Sequence, residues 1–126
     1  MVVELFVNGT LMRGMSLHKN LQGAEFLGEF HTLPLYRLYS IDDVHPGMFE
    51  VEKGGVSVTG EIYRMSDEIL QRVKNGEPPD LYFGDVKLNN GRVAKGVLFP
   101  RDIAELNHKD ISEYGGWRAY ITSLKK

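Results

Sequence analysis

Hydrophobic and polar residues along the chain alternate over short spans, with few long helical stripes. Residues 2–7 form an apolar, β-branched run that stops at Asn8-Gly9, the pattern of a buried strand ending in a turn. Ser16 is placed to cap a short helix over residues 17–22, which Gly23 would end. Residues 25–32 alternate in part, Pro34 interrupts, and residues 35–39 resume as strand. Residues 40–47, with Asp42-Asp43 and His45-Pro46-Gly47, have the composition of a loop. Gly54-Gly55 suggests a hairpin connection into the clearest period-two segment: Val56, Val58, Gly60 and Ile62 alternate with Ser57, Thr59 and Glu61. Ser66-Asp67-Glu68 then opens a helix carrying Ile69, Leu70 and Val73 on one side, and Asn75-Gly76 closes it. A second hairpin is expected over residues 82–88 and 93–99 through Asn89-Asn90-Gly91, followed by a short helix near residues 102–107 and a tail to Tyr120.

This order predicts one α+β domain over residues 1–126: five to seven strands, at least two short helices, and a sheet curling toward a small mixed barrel. A doubly wound parallel sheet needs more helical crossovers than the pattern supplies. At 126 residues the chain is long enough for one real core without staples, and the absence of cysteine removes disulfides, thiolate metal sites and a cysteine nucleophile. Lys and Arg are scattered and the formal net charge is −2, which argues against a nucleic-acid partner. The apolar runs are strand-sized and the start lacks a basic leader, so the expectation is a cytoplasmic protein with no membrane partner. His18, His31, His45 and His108 show no zinc-like spacing, and no metal is expected.

Three places could carry chemistry. Asn8-Gly9-Thr10-Leu11 is either an ordinary strand exit or a nest of backbone N–H groups that grips an anion. Glu77, past a helix end and before Pro78-Pro79, is either a solvated loop carboxylate or a desolvated general base. His45, near Asp42 and Asp43, is either a surface residue of a polar turn or a proton donor. Arg37 lies in an apolar strand, so it pairs with an acid such as Asp42 or Glu61, or faces a pocket and binds a carboxylate. Tyr36, Tyr39, Phe49 and Trp117 read as core.

Several segments together resemble the γ-glutamylcyclotransferase-like superfamily, and within it the C-terminal domain of allophanate hydrolase. They are Leu5-Phe6-Val7-Asn8-Gly9-Thr10-Leu11-Met12 with Leu17-His18, Pro34-Leu35-Tyr36-Arg37-Leu38-Tyr39, His45-Pro46-Gly47-Met48, Glu77-Pro78-Pro79-Asp80-Leu81, and Asp110 through Tyr120 with its Tyr114-Gly115-Gly116-Trp117-Arg118. The resemblance implies a small mixed α/β fold around a barrel and a cofactor-independent enzyme acting on a small carboxylate-bearing amide. In cyclotransferase members, a Tyr-Gly-Ser/Thr-Leu turn binds substrate through backbone amides while a glutamate acts as general base and 5-oxoproline is released. Gly9, Thr10 and Leu11 match that turn, with Asn8 replacing the tyrosine; Glu77 matches the glutamate, with Pro78 where glycine is usual. In allophanate hydrolase the corresponding domain is thought to decarboxylate N-carboxycarbamate. Asn8, Gly9, Thr10, Leu11 and Arg37 are then the expected substrate-binding residues, Glu77 the base, and His45 a proton donor. The competing expectation is a non-catalytic binding module that docks on a separate amidase.

Overall fold

The computed structural model describes residues 2–78 and 80–125. Strand β1 (Val2–Val7) is central: Leu5, Phe6 and Val7 are buried in succession, as a strand covered on both faces requires. β1 runs antiparallel to β5 (Thr59–Ser66), with Val7 opposite Glu61, and parallel to β7 (Val93–Leu98). With β2 (Glu25–His31) and β6 (Tyr82–Lys87) at the edges, the sheet order is β2-β5-β1-β7-β6. The sheet curls until its edges meet. Leu33 N–H donates to Lys87 O and Asn89 N–H to His31 O, both at 2.9 Å, around a Thr32–Leu88 bridge. Closure is confined to that end, so the mixed α+β fold stops short of a full barrel.

A smaller sheet holds β3 (Tyr36–Ile41), β4 (His45–Glu50) and the two-residue β8 (Lys109–Asp110), in the order β4-β3-β8. Two expectations are corrected here. The loop over residues 40–47 shrinks to a tight turn at Asp42-Asp43, whose φ angles of 58° and 59° belong to the type I′ hairpin geometry. His45-Pro46-Gly47 is therefore strand, and Pro46 is tolerated because β4 is an edge. Gly54-Gly55 does not make a hairpin, because β4 pairs with β3 and the chain must cross from one sheet to the other before β5. The hairpin β6–β7 forms as expected, with Gly91 at φ 88°.

Helix α1 (Asp67–Gly76) starts where Ser66 Oγ accepts from Ile69 N–H at 3.3 Å, with Asp67 and Glu68 in the first turn. It buries Val73 against the sheet. The helix expected over residues 17–22 is a single 3-10 turn at His18–Leu21, and Ser16 does not cap it. This turn packs on α1, where Arg72 Nε donates to Asn20 O at 3.0 Å. α2 (Arg101–Asn107) follows Pro100, and α3 (Trp117–Leu124) occupies what the sequence suggested was a tail. α3 inserts Trp117 and Tyr120 into the main core, where Tyr36 is also buried; Phe49 joins a smaller cluster with Phe99 and Ala104. Among the described residues no helix is long and apolar enough to cross a membrane.

Candidate active site

The chain leaves β1 at Val7 and turns sharply. Met12 N–H donates to Gly9 O at 3.0 Å and Leu17 N–H to Thr10 O at 2.9 Å, so residues 9–17 fold back as a compact unit. The Nδ1–H of His18 reaches Leu11 O at 3.0 Å. Asn8, buried, directs its amide to Met48 Sδ on β4 at 3.4 Å. Among the described residues, no hydrogen bond takes up the N–H groups of Gly9, Thr10 and Leu11. These are the donors that an anion-gripping nest would use.

Gly9 sits directly under Pro46. A Cβ at position 9 would lie 2.5 Å from the Cδ and Cγ of the proline ring, inside van der Waals contact. Gly9→Ala is therefore expected to destabilise the protein by about 1–3 kcal/mol, the usual cost of overpacking, and to push the turn off β4. Chemical denaturation checks this. A stability within about 0.3 kcal/mol of wild type would show that the contact can relax freely.

Two further elements converge on the turn. β4 is drawn in because Phe99 N–H, just beyond β7, donates to Met48 O at 2.9 Å. That docking brings His45 and Pro46 to the pocket. The 3-10 turn packed on α1 fixes the other side, because α1 ends at Gly76 and places Glu77 as its C-terminal cap. The resulting pocket is a small, partly open cavity of about 20 Å³, lined by residues 7–11, His45, Pro46, Glu77, Leu81 and Val97.

Glu77 is the unusual group. Its Oε1 is shut off from solvent and has no hydrogen-bond partner among the described residues. A carboxylate in that position lacks compensation for its lost hydration, and burial pushes the Glu77 carboxyl up to about 7. Such a group exchanges a proton readily near neutral pH. Of the Pro78-Pro79 pair that follows Glu77, Pro79 lies outside the described residues.

The raised value carries a stability consequence. The folded state keeps this proton between the ordinary value of about 4.5 and about 7, where the unfolded chain has released it. The contribution is full below about 4.5 and is lost as pH rises through about 7. A displacement of that size corresponds to about 3 kcal/mol. Glu77→Gln should therefore gain stability relative to wild type as pH is raised from 5 to 8. Thermal melts across that range check it; a gap independent of pH would contradict the assigned burial.

His45 is buried rather than on the surface, and it lines the pocket. Its Nδ1 lies 3.0 Å from Pro46 O, an acceptor, so the ring's proton sits on Nδ1 and Nε2 is the free nitrogen of the neutral ring. Arg37 is elsewhere. It donates to Asp110 Oδ2 at 2.6 Å and to Gly54 O at 2.7 Å, because β3 pairs with β8 and brings Asp110 beside it. Arg37 is thus a structural tie, paired with neither Asp42 nor Glu61, and it does not line the pocket.

Glu61 was not anticipated. Period-two alternation assigns it to a solvent face, yet it is 2% exposed. The segment carrying Arg13 and the start of α3, with Gly116 against Thr59 and Arg118 reaching Glu61, lie over that face of β5. The carboxylate accepts from Arg13 N–H at 3.0 Å, Arg13 Nε at 3.1 Å, Tyr63 Oη–H at 3.0 Å and Arg118 Nη2 at 3.2 Å. Burial alone would raise its pKa. The Arg13 contacts and the Tyr63 hydroxyl outweigh that and hold it below the usual carboxylate value. Burial and the neighbouring carboxylate together push the Tyr63 phenol up. One local signal exists: residues 61 and 63 share a strand face, which sets a tyrosine hydroxyl beside the acid.

Known proteins share this fold. The allophanate hydrolase C-terminal domain family matches residues 3–122. The chain belongs to that family. Among solved structures, a uropathogenic E. coli-specific protein superposes with a TM-score of 0.92 at 40% identity, covering 97% of both chains. Allophanate hydrolase of Kluyveromyces lactis superposes at 0.89 with 26% identity, over 98% of this chain and 22% of that one. Urea amidolyase of Saccharomyces cerevisiae is 29% identical over 98% of this chain and 7% of its own length. The chain thus spans a small part of those larger relatives. A γ-glutamyl cyclotransferase, 15% identical at a TM-score of 0.55 over 87% of the chain, shares the fold alone.

Proposed function

We propose that this chain is an enzyme acting on a small carboxylate-bearing amide, with Glu77 transferring the proton. The observation that carries the reading is Glu77, half-buried with Oε1 shut off from solvent and unpartnered among the described residues, its carboxyl raised to about 7, in a pocket also lined by Gly9, Thr10 and Leu11. The turn holds the substrate carboxylate through backbone donors, and Asn8 frames the floor. His45 is the second proton carrier on the pocket wall.

Two reactions use these parts. In decarboxylation of an N-carboxylated carbamate, the C–N bond to one carboxylate breaks, and its electron pair stays on nitrogen. The nitrogen takes the Glu77 proton, carbon dioxide leaves, and water restores the acid. In cyclotransfer, a substrate amine attacks its own side-chain carbonyl. Glu77 takes the amine proton and returns it to the departing amine, releasing 5-oxoproline. Membership of the allophanate hydrolase C-terminal domain family favours the first.

The test supplies both. Purified protein is added to an allophanate amidase and carbon dioxide release is followed; separately, γ-glutamyl compounds are assayed for 5-oxoproline. Acceleration or product with wild type, abolished in Glu77→Gln, supports the reading. Equal activity in the variant sinks the proton-transfer role. The second reading is a non-catalytic module docked on an amidase, favoured by the larger relatives that carry this domain as one part. Co-purification with an amidase and no activity in either assay would select it.

A further inference from the structure

We propose that Glu61 is a positioning residue that sets the backbone donors of the pocket floor through the N–H of Arg13. The inference rests on the reading that Gly9, Thr10 and Leu11 bind the substrate carboxylate. Glu61 stands opposite Val7, at the point where β1 gives way to the turn. It projects from the inner strand β5, which is paired on both sides and cannot shift independently. From there its Oε1 accepts the Arg13 N–H at 3.0 Å, two residues beyond Leu11. The turn is thereby tied at its far end to the same pair of strands from which it departs.

The other contacts of Glu61 serve that tie. Tyr63 Oη–H shares Oε1, while Arg13 Nε and Arg118 Nη2 neutralise Oε2 at 3.1 and 3.2 Å. Both guanidiniums are about half exposed, so water screens their attraction and their main effect is to allow a charged acceptor at a buried site. A charged acceptor on a backbone N–H is directional and strong. A shift of even part of an ångström at Arg13 is passed along the hydrogen-bonded turn to Leu11, Thr10 and Gly9.

Two conservative variants separate positioning from charge balance. Glu61→Gln keeps the side-chain length and one acceptor oxygen but loses the charge. Glu61→Asp keeps the charge but withdraws the oxygen by one methylene. Malonate, a small dicarboxylate, serves as the binding probe, read by the amide signals of Gly9, Thr10 and Leu11 in ¹H–¹⁵N spectra. The expected result is displaced signals for these amides in ligand-free Glu61→Asp and a malonate Kd raised at least about tenfold. Glu61→Gln should keep Kd within about threefold despite lower stability. Arg13→Ala, which retains the N–H at a half-exposed position, should also stay within about threefold and is expected to fold whatever the fate of the other two.

Unchanged amide signals in ligand-free Glu61→Asp would overturn the inference. So would a tenfold loss in Arg13→Ala, or a larger loss in Glu61→Gln than in Glu61→Asp. Failure of wild type to bind malonate at the turn would instead count against the carboxylate-binding reading, leaving the amide comparison to judge Glu61 on its own.

Discussion

Glu77→Gln lowers kcat/KM by about 10²–10⁴-fold, the range that a positioned general acid or base supplies. The substitution preserves shape and size and removes only the exchangeable carboxyl proton. If, as proposed, the backbone of residues 9–11 grips the substrate, KM should change little. The pH profile then distinguishes the two reactions. A base must be ionised, so cyclotransfer rises as pH passes upward through about 7; an acid must be protonated, so decarboxylation falls above about 7. Either limb disappears in the variant. Steady-state kinetics between pH 5 and 9 check both points, and a variant within threefold of wild type would remove Glu77 from the chemistry.

Glu61→Ala costs about 3–5 kcal/mol of stability, the usual penalty for removing one partner of a buried charge cluster. The loss strands Arg13 N–H, the Tyr63 hydroxyl and two guanidiniums at once. For a domain of this size that is a large share of the whole, so the variant's denaturation midpoint should fall steeply. The acid side has the opposite sign to Glu77. Because the folded Glu61 value lies below the unfolded value near 4.5, its stabilisation is present above about 4.5 and is lost as pH falls through the folded value. Urea denaturation at pH 7 and at pH 4 measures both effects. A loss under 1 kcal/mol at pH 7 would mean that the guanidiniums and hydroxyl find water without cost.

What could be read before the structure was local. β1, the β6–β7 hairpin and the Ser66 cap of α1 each follow from a few adjacent residues, and each forms. The parallel pairing of β1 with β7 and the separate β4-β3-β8 sheet depend on partners far apart in sequence. That is why Gly54-Gly55 reads as a hairpin but serves as a crossover. α3 stayed hidden because Gly115-Gly116 look like loop, while Trp117 and Tyr120 show the helical spacing only once the start is known. At the site, the Asn8–Leu11 turn and Glu77 stand out through their neighbours and the family pattern, but their meeting depends on α1 packing against the 3-10 turn. Alternation misassigned Glu61, since period two separates the faces of a strand but does not say whether both are covered. Arg37 shows the converse: an arginine in an apolar strand left an acid partner and a pocket both open, and Asp110 from a distant strand claimed it.

The most direct test of the central claim is the titration of the Glu77 side-chain carboxyl, followed by ¹³C NMR of its Cδ. Burial without a hydrogen-bond partner predicts a midpoint close to 7. A midpoint near the ordinary value of 4.5 would mean a solvated, permanently ionised carboxylate, and the proposed proton transfer would not stand.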